Sequence, residues 1–267
     1  MTTFIKKNEV FLTVEAEAHL HKELSEHFQF EVPGAKYMPA VKRRYWDGKI
    51  RLYSPGTGEI YVGLYDYLTD YLEQKGYDYE VLEDKYFGRP TDTEEYVTPE
   101  GTAAFIRSLR LPYKVRDYQL RGIYTAIKFR RKLLLSPTGS GKSLIIYALV
   151  RWHLLKKREI LIIVPTVSLV EQLYKDFIEY GWNVRDVHKI MGGVEKYTDQ
   201  PVVISTWQSI YKEPKRFFER FDVIIGDEAH QYKAKSLTGI LTKCMDAKYR
   251  IGSVSYTHLT LPTICSV

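Results

Sequence analysis

Cysteine is scarce in this sequence of 267 residues, where only Cys244 and Cys265 occur, in unrelated contexts. Two such cysteines provide neither a disulfide framework nor the spacing of a thiolate metal site, so a reducing cytosol is the expected compartment. Long apolar runs are also lacking, and the N-terminal segment Met1–Lys7 has no apolar core of a secretory signal. We therefore expect no membrane segment.

Internal repeats, low-complexity tracts and a strong charge bias are absent too. The composition is 45% hydrophobic with a formal net charge of +6, as expected for a folded globular chain of one large domain or two modest ones. A small positive excess is compatible with a polyanionic partner. It does not identify one, because many basic proteins bind nothing anionic.

The first part of the chain has the mixed pattern of a small α+β domain. Helical spacing of apolar residues predicts helices within 15–28 and 64–75, and the turn Ser54–Gly58 between two short alternating segments predicts a β-hairpin. A polar, acidic stretch follows the last predicted strand. We therefore predict a domain over residues 1–83, which we expect to bind DNA, and a linker over 84–98.

The pattern changes after Lys132. Four short apolar runs, at 133–135, 160–164, 202–205 and 223–226, alternate with amphipathic helical segments. Nearly continuous apolar strands separated by helices are typical of a parallel sheet buried on both faces. The prediction is an α/β domain over residues 99–252, with helices flanking a parallel sheet.

The segment Ser136–Ser143 has the composition of a phosphate-binding loop between a strand and a helix. Its glycines allow several backbone amides to face one phosphate, and the helix N-terminus adds its positive dipole end. Lys142 is then placed to reach the β- and γ-phosphates of ATP, and the Ser143 hydroxyl to bind Mg²⁺. The strict pattern has glycine where Ser136 stands, but the strand–turn–helix context is intact. The alternative is an ordinary glycine-rich turn. The predicted nucleotide-binding residues of this loop are Pro137, Thr138, Gly139, Ser140, Gly141, Lys142 and Ser143.

Two carboxylates, Asp227 and Glu228, directly follow the apolar run 223–226. In a parallel sheet this end of the strand faces the same crevice as the phosphate loop. Asp227 is predicted to hold the Mg²⁺ ion and Glu228 to orient and deprotonate the attacking water. Adjacent carboxylates also occur at solvated helix starts, and the phosphate loop upstream favours the catalytic interpretation.

A third candidate element begins at Arg116 and includes Gln119. The Gln119 amide has both a donor and an acceptor, so it can pair with an adenine edge. The alternative is a plain helix start with Asp117 near the N-cap.

In order and spacing, these elements resemble the motifs of superfamily II helicases and translocases. Arg116–Gln119 resembles the adenine-sensing motif, and the phosphate loop resembles motif I. The later motifs are matched by Val164–Gln172 (motif Ia), Ser205–Ser209 (motif Ib) and Asp227–His230 (motif II, Asp-Glu-Ala-His). The resemblance implies a RecA-like ATP-binding lobe and adds His230 to the expected catalytic residues Lys142, Asp227 and Glu228.

The N-terminal part is similar to the leading domain of the DNA helicases of T-even phages. The similarity lies in the segments Pro33–Pro39, Tyr45–Ile50 and Gly58–Leu64. This resemblance implies a DNA-dependent ATPase that unwinds branched DNA during recombination and repair. It also implies a monomer that acts without sequence preference in the cytoplasm of a phage-infected bacterium.

The family resemblance also implies DNA contacts. Motifs Ia and Ib touch the nucleic-acid backbone in this family, which points to Thr166, Ser168, Thr206 and Gln208. Hydroxyl and amide groups can bind phosphate oxygens without reading sequence. Ser168 could also serve as the cap of its helix.

A basic run beside aromatic residues is the second candidate DNA contact. Lys42, Arg43 and Arg44 precede Tyr45 and Trp46, a combination suited to phosphate contact and base stacking. The alternative is a solvated basic edge. We expect the three cations to contact DNA and Trp46 to belong to the core of the small domain.

The pattern breaks at Ser253. The family continues here with a short Thr-Gly-Ser or Ser-Ala-Thr motif, which we do not find, and residues 253–267 are expected to be a non-native or disordered tail. Without a second lobe and its arginine finger, we expect weak ATP binding, slow hydrolysis and no unwinding. Two other functions remain open: a motor subunit of a restriction enzyme, and a non-catalytic nucleic-acid-binding module.

Overall fold

The computed structural model describes residues 2–82, 97–229 and 234–256, and the backbone forms two compact units, residues 1–89 and 90–267. The boundary between the units falls in the segment predicted as a linker. Most of that segment lies outside the described residues. Among the described helices, none combines the length and apolar character that a membrane-spanning segment needs.

The N-terminal unit is built on a five-stranded sheet with the strand order β5-β6-β2-β1-β7 and a separate two-stranded sheet, β3-β4. β1 pairs in parallel with β7 and antiparallel with β2. The elements are β1 (Thr2–Lys6), β2 (Phe11–Glu15), α1 (Ala18–His27), β3 (Gln29–Glu31), α2 (Pro39–Lys42), β4 (Lys49–Arg51), β5 (Tyr53–Ser54), β6 (Glu59–Tyr61), α3 (Tyr65–Lys75) and β7 (Tyr79–Leu82).

The predicted helices of this unit are present, with α3 ending at Gly76 in the left-handed conformation. The predicted hairpin is present only in part: Tyr53–Ser54 pairs with β6, whereas Lys49–Arg51, expected in the first strand of the hairpin, pairs with β3. Leu24 and Leu68, from the inner faces of α1 and α3, are fully buried with Phe4 of β1. The sequence analysis missed β1, because a strand at a chain terminus has no flanking turn signal on one side. The mixed α+β character is as expected.

The second unit is built on a six-stranded, wholly parallel sheet with the strand order β10-β11-β9-β12-β13-β8. Helices pack against the sheet. The elements are α4 (Pro99–Ser108), α5 (Asp117–Lys128), β8 (Arg131–Pro137), α6 (Lys142–Leu155), β9 (Ile160–Val164), α7 (Val167–Glu179), β10 (Val187–Ile190), β11 (Val202–Thr206), α8 (Trp207–Ile210), α9 (Lys215–Phe218), β12 (Val223–Gly226), α10 (Ala234–Lys243) and β13 (Tyr249–Tyr256).

The central strands explain why the apolar runs of the sequence form this sheet. Every residue of β9 is completely buried, and its side chains alternate between two apolar clusters on opposite faces. Burial of one such aliphatic side chain contributes about 1.5–3 kcal/mol. The parallel α/β fold predicted from the four runs is confirmed.

Two strands of this sheet were not predicted. β10 is short and carries His188 and Lys189 between apolar residues, so it has no continuous apolar run. β13 extends through Tyr256 and pairs with β8 along residues 250–256. The expectation of disorder is therefore wrong for residues 253–256, whereas a non-native origin of the tail stays a prediction. Residues 257–267 lie outside the described part.

Candidate functional site

The residues predicted to act on a nucleotide come together at one edge of the six-stranded sheet. Because the strands are parallel, their carboxyl ends share this edge. There β8 leads into the phosphate loop and β12 into Asp227 and Glu228, while β13 lies between these two strands. The strand order thus places one strand between the loop and the acidic pair.

The phosphate loop adopts a conformation that requires two of its glycines. Gly139 and Gly141 have φ angles of 76° and 77°, in the left-handed region that favours glycine. At Gly141 a Cβ atom would also lie only 2.5 Å from Gln119 Nε2. With α6 beginning at Lys142, the loop and the helix N-terminus form a cradle of backbone amides that fits a phosphate group.

The side-chain amide of Gln119 hydrogen-bonds to the phosphate loop and fixes its conformation. Its Nε2 donates to the carbonyl of Ser140 at 2.9 Å, and its Oε1 accepts from the backbone N–H of Arg116 at 2.9 Å. Gln119 is buried and both ends of its amide are engaged. The observed geometry gives Gln119 a role in shaping the loop, and the adenine contact stays a prediction.

The surface beside the loop is a cavity of about 600 Å³ that Arg116 and Tyr118 line together with the loop residues. The Tyr118 hydroxyl donates to the Ser140 carbonyl at 2.8 Å, and Arg116 Nη1 donates to that hydroxyl at 3.0 Å. The sequence analysis missed Tyr118, although its position between Arg116 and Gln119 was the available signal.

Lys142 and Glu228 form an ion pair across the intervening strand. Lys142 Nζ lies 3.2 Å from Glu228 Oε1, and both side chains are largely buried. Ser255 of β13 joins them: its backbone N–H donates to Glu228 Oε2 at 3.1 Å, and its hydroxyl donates to Oε1 and accepts from Lys142. The sequence offered no signal for Ser255, which lies in the segment predicted as a disordered tail.

The two adjacent carboxyls have different environments. Burial raises the pKa of Asp227, and the neighbouring Glu228 charge raises it further. Burial also acts to raise the pKa of Glu228, but hydrogen bonds from Ser255 and the nearby Lys142 ammonium outweigh it and hold that pKa below its usual value. Glu228 is therefore stabilised as a carboxylate, whereas the charged form of Asp227 is disfavoured unless a cation lies beside it.

The chemistry of this donor set fits Mg²⁺. The ion prefers hard oxygen ligands and commonly takes only one or two from the protein, with water and substrate phosphates as the others. Asp227 supplies a partly buried carboxylate and Ser143 a hydroxyl, which lies 2.8 Å from the hydroxyl of Tyr180. Within the described ranges there is no cluster of three or more acidic, histidine or cysteine side chains that would hold a metal by itself.

The residues predicted to contact DNA in this unit follow β9 and β11, which are neighbouring strands. Thr166 is the N-cap of α7 and accepts from the backbone N–H of Leu169 at 3.3 Å. The hydroxyl of Ser168 lies 3.0 Å from that of Thr166. The alternative that Ser168 caps this helix is wrong, because Thr166 occupies the N-cap.

Gln208 connects the loop after β11 to the loop after β9, because its Nε2 donates to the carbonyl of Pro165 at 3.2 Å. The hydroxyl of Thr206 lies 2.9 Å from Ser209 Oγ. Thr166, Thr206 and Gln208 line a cavity of about 650 Å³, and Gly192, Gly193 and Lys196 form another wall of it. The sequence analysis missed this third segment, where two adjacent glycines followed by a lysine were the available signal. Contact with DNA at these residues stays a prediction.

The basic run of the N-terminal unit is exposed. Lys42 ends α2, Arg43 and Arg44 follow it, and the ring of Tyr45 is 82% exposed. Trp46 is only partly buried, lies outside the apolar core of the unit, and donates its indole N–H to the carbonyl of Lys49 at 2.8 Å. The expectation that Trp46 belongs to the core is therefore wrong.

His230, the remaining predicted catalytic residue, lies outside the described residues.

Each of the two units matches a known protein family. The family described as "Type III restriction enzyme, res subunit" matches residues 112–253, and the family "DNA helicase UvsW, N-terminal" matches residues 5–83. The chain is 31% identical over 249 residues to the ATP-dependent DNA helicase UvsW of Enterobacteria phage T4, covering 90% of this chain and 48% of that protein. It is 27% identical over 139 residues to the DNA 3'-5' translocase XPB2 of Sulfurisphaera tokodaii, covering 52% of this chain and 30% of that protein.

Solved structures of a UvsW helicase have the same fold as this chain. A crystal structure of the UvsW helicase from bacteriophage T4 aligns with a TM-score of 0.84 and 27% identity, covering 95% of this chain and 91% of that chain. A second crystal structure of T4 UvsW has the same score and identity, and 52% of that longer chain is covered. The chain spans about half the length, or less, of the curated relatives that it matches.

The role of Gln119 can be tested with Gln119→Ala. The change removes the partner of the Ser140 carbonyl and the Arg116 N–H, at a cost of about 1–3 kcal/mol, so nucleotide should bind about tenfold or more weakly. Because the loop itself is loosened, ATP and GTP should lose affinity equally in calorimetric titrations. A loss restricted to ATP would instead indicate an adenine contact. Gln172→Ala, at an exposed position of α7, is the matched control.

The opposite pKa shifts of Asp227 and Glu228 predict opposite effects on stability. With its pKa raised, Asp227 contributes stability at low pH that is lost as the pH rises through the folded-state pKa. Asp227→Asn should therefore raise the melting temperature at pH 7 in metal-free buffer, with the gain disappearing toward about pH 4. With its pKa lowered, Glu228 contributes stability above the unfolded-state pKa, so Glu228→Gln should lower the melting temperature at pH 7. Thermal unfolding of both variants between these pH values measures this, and a lower melting temperature for Asp227→Asn would contradict it.

Proposed function

The chain belongs to the superfamily II helicase family that the res-subunit model describes, in its UvsW-type form, and on that premise we propose that it is the ATP-binding part of an ATP-dependent DNA helicase. The observation that carries the proposal is the meeting of Lys142 and Glu228 beside the phosphate cradle. A lysine, a carboxylate and a loop of backbone amides are the groups that hydrolysis of a nucleoside triphosphate requires.

In this function each residue has a separate task. The amides of the loop hold the phosphates, and Lys142 moves from Glu228 to the β- and γ-phosphates. Glu228, already stabilised as a carboxylate, is then available to orient the attacking water and accept its proton. Asp227 and Ser143 would hold Mg²⁺, which when bound would neutralise charge on the phosphate oxygens. Arg116 and Tyr118 form the side of the cavity on which the base would lie.

The nucleic-acid partner we propose is DNA, bound through its backbone. Hydroxyl and amide groups of Thr166, Ser168, Thr206 and Gln208 contact phosphate oxygens without reading sequence, as a motor that passes over any sequence requires. Branched DNA in recombination and repair, in the cytoplasm of an infected bacterium, is the corresponding setting. The likeness to the phage T4 DNA helicase supports DNA as the partner, and the branched substrate and the repair setting are our proposal from the family resemblance.

Two alternatives are less well supported. A restriction-enzyme motor shares the family of residues 112–253, but the match of residues 5–83 to the UvsW N-terminal family favours the helicase. A non-catalytic binding module has no need for an ion pair between Lys142 and Glu228 at a phosphate loop. The first comparison favours the helicase over the restriction-enzyme motor, and the second favours an enzyme over a binding module.

Lys142→Ala tests the catalytic part of the proposal. ATP hydrolysis by the chain is expected to be slow, to rise on addition of duplex, forked or four-way-junction DNA, and to disappear in the variant because the phosphates lose their cation. The control variant Lys132→Ala, on β8 outside the loop, should retain DNA-stimulated ATP hydrolysis. Stimulation by RNA alone would overturn the DNA assignment, and hydrolysis that survives Lys142→Ala would overturn the assignment of the site.

The basic run predicts a separate effect on DNA affinity. A variant with Lys42, Arg43 and Arg44 replaced by alanine should bind all DNA sequences more weakly, with the slope of log affinity against log salt reduced by about 2–3 for three lost phosphate contacts. Fluorescence anisotropy over a salt series measures both quantities. Replacing the exposed Lys22 and Lys75 by alanine is the control. Unchanged affinity of the triple variant at low salt would refute the contact.

A further inference from the structure

The hydroxyl of Ser143 is held by a residue that neither the sequence motifs nor the comparisons single out. Tyr180 directly follows α7, and its hydroxyl lies 2.8 Å from Ser143 Oγ. Tyr180 is only 8% exposed. A buried phenol requires a hydrogen-bond partner, and Ser143 is the partner that the structure provides.

The Tyr180 ring is fixed on two sides. It makes edge contacts with the rings of Tyr147, at 5.3 Å between centroids, and Tyr113, at 6.1 Å. The Tyr147 hydroxyl donates to the Tyr180 carbonyl at 3.4 Å, and the Tyr180 N–H donates to the carbonyl of Asp176 at 2.9 Å. The phenol therefore cannot leave Ser143 without repacking the interface between α6 and α7, so its position is set before any ligand arrives.

The bond between the two hydroxyls occupies either the proton or one lone pair of the Ser143 oxygen. A hydroxyl oxygen has two lone pairs, so at least one stays available for a metal ion.

We propose that Tyr180 is a positioning residue for the magnesium ligand Ser143, and that it aims the remaining lone pair of the Ser143 oxygen at the ion. The inference rests on the proposed function, since it takes Mg²⁺-nucleotide as the ligand of the loop. It extends the site to the end of α7, beyond the motifs read from the sequence.

Groups that orient a metal ligand usually influence metal affinity strongly. Loss of such a partner typically weakens binding of the metal about 10- to 100-fold. Here the effect should be confined to the contribution of the metal, because Tyr180 lies behind Ser143 and the phosphate cradle is formed by the loop. Nucleotide binding without a divalent ion should therefore be unaffected.

Tyr180→Phe is the decisive variant, because it keeps the packed ring and removes only the hydroxyl. Equilibrium binding of a fluorescent ADP analogue is measured with Mg²⁺ and again in EDTA. We expect about tenfold weaker binding in the presence of Mg²⁺ and unchanged binding in EDTA. Tyr174→Phe is the matched control, since Tyr174 lies on α7 with its ring against the Lys189 ammonium, at 4.3 Å. Thermal unfolding of each variant verifies that it is folded.

The outcomes separate this inference from the function on which it rests. If the unmodified chain binds nucleotide but Tyr180→Phe is unchanged, or loses affinity equally with Mg²⁺ and in EDTA, Tyr180 is not a positioning residue. Tighter Mg²⁺-dependent binding in Tyr180→Phe would likewise overturn the inference, because the phenol would then compete with the ion. If the unmodified chain binds nucleotide in neither buffer, the proposed function itself fails.

Discussion

The parallel hydrogen-bonded ladder of β8, β13 and β12 is the constraint on which the candidate site depends. Gly226 at the end of β12 pairs with Gly252 of β13, which pairs with Leu133 of β8, whereas Ser255 pairs with Ser136. The acidic pair therefore leaves the sheet about three residues before the phosphate loop does, and β13 runs on beside the loop, which brings Ser255 to both. Neighbouring strands lie about 4.8 Å apart, which separates the two outer strands by about 10 Å. The long side chain of Lys142 crosses this distance to reach the Glu228 carboxylate. The same distance leaves room for a phosphate group between the loop and the acidic pair.

The charges of the site are balanced within this gap. In the structure, Lys142 is paired with Glu228, and the same ion pair stabilises Glu228 as a carboxylate. Burial and the Glu228 charge raise the pKa of Asp227, with Lys142 acting in the opposite direction, and a divalent ion beside the carboxyl would offset the burial cost. In the proposed function, Lys142 would leave Glu228 for the phosphates, and Asp227 would face the cation.

The same sheet edge connects the nucleotide side to the proposed DNA side. The backbone N–H of Asp227 donates to the carbonyl of Ile163 at 2.9 Å, in the strand that leads to Thr166. Gln208 then fastens the loop after β11 to the carbonyl of Pro165. One backbone hydrogen bond and one side-chain hydrogen bond therefore connect the acidic pair to the residues expected to touch DNA.

The sequence by itself determined the parallel α/β fold and the phosphate loop, because short, nearly continuous apolar strands that alternate with helices and the Gly-Lys-Ser turn are local patterns that few other structures explain. It also determined that Asp227 and Glu228 follow a buried strand. Only the tertiary structure decided which side chains meet: Gln119 at the back of the loop, Ser255 between Lys142 and Glu228, and Tyr180 on Ser143. These contacts join residues distant in sequence, and their geometry depends on strand order and helix packing. A motif names the groups that do the chemistry, whereas the groups that hold them in place leave no pattern in the chain.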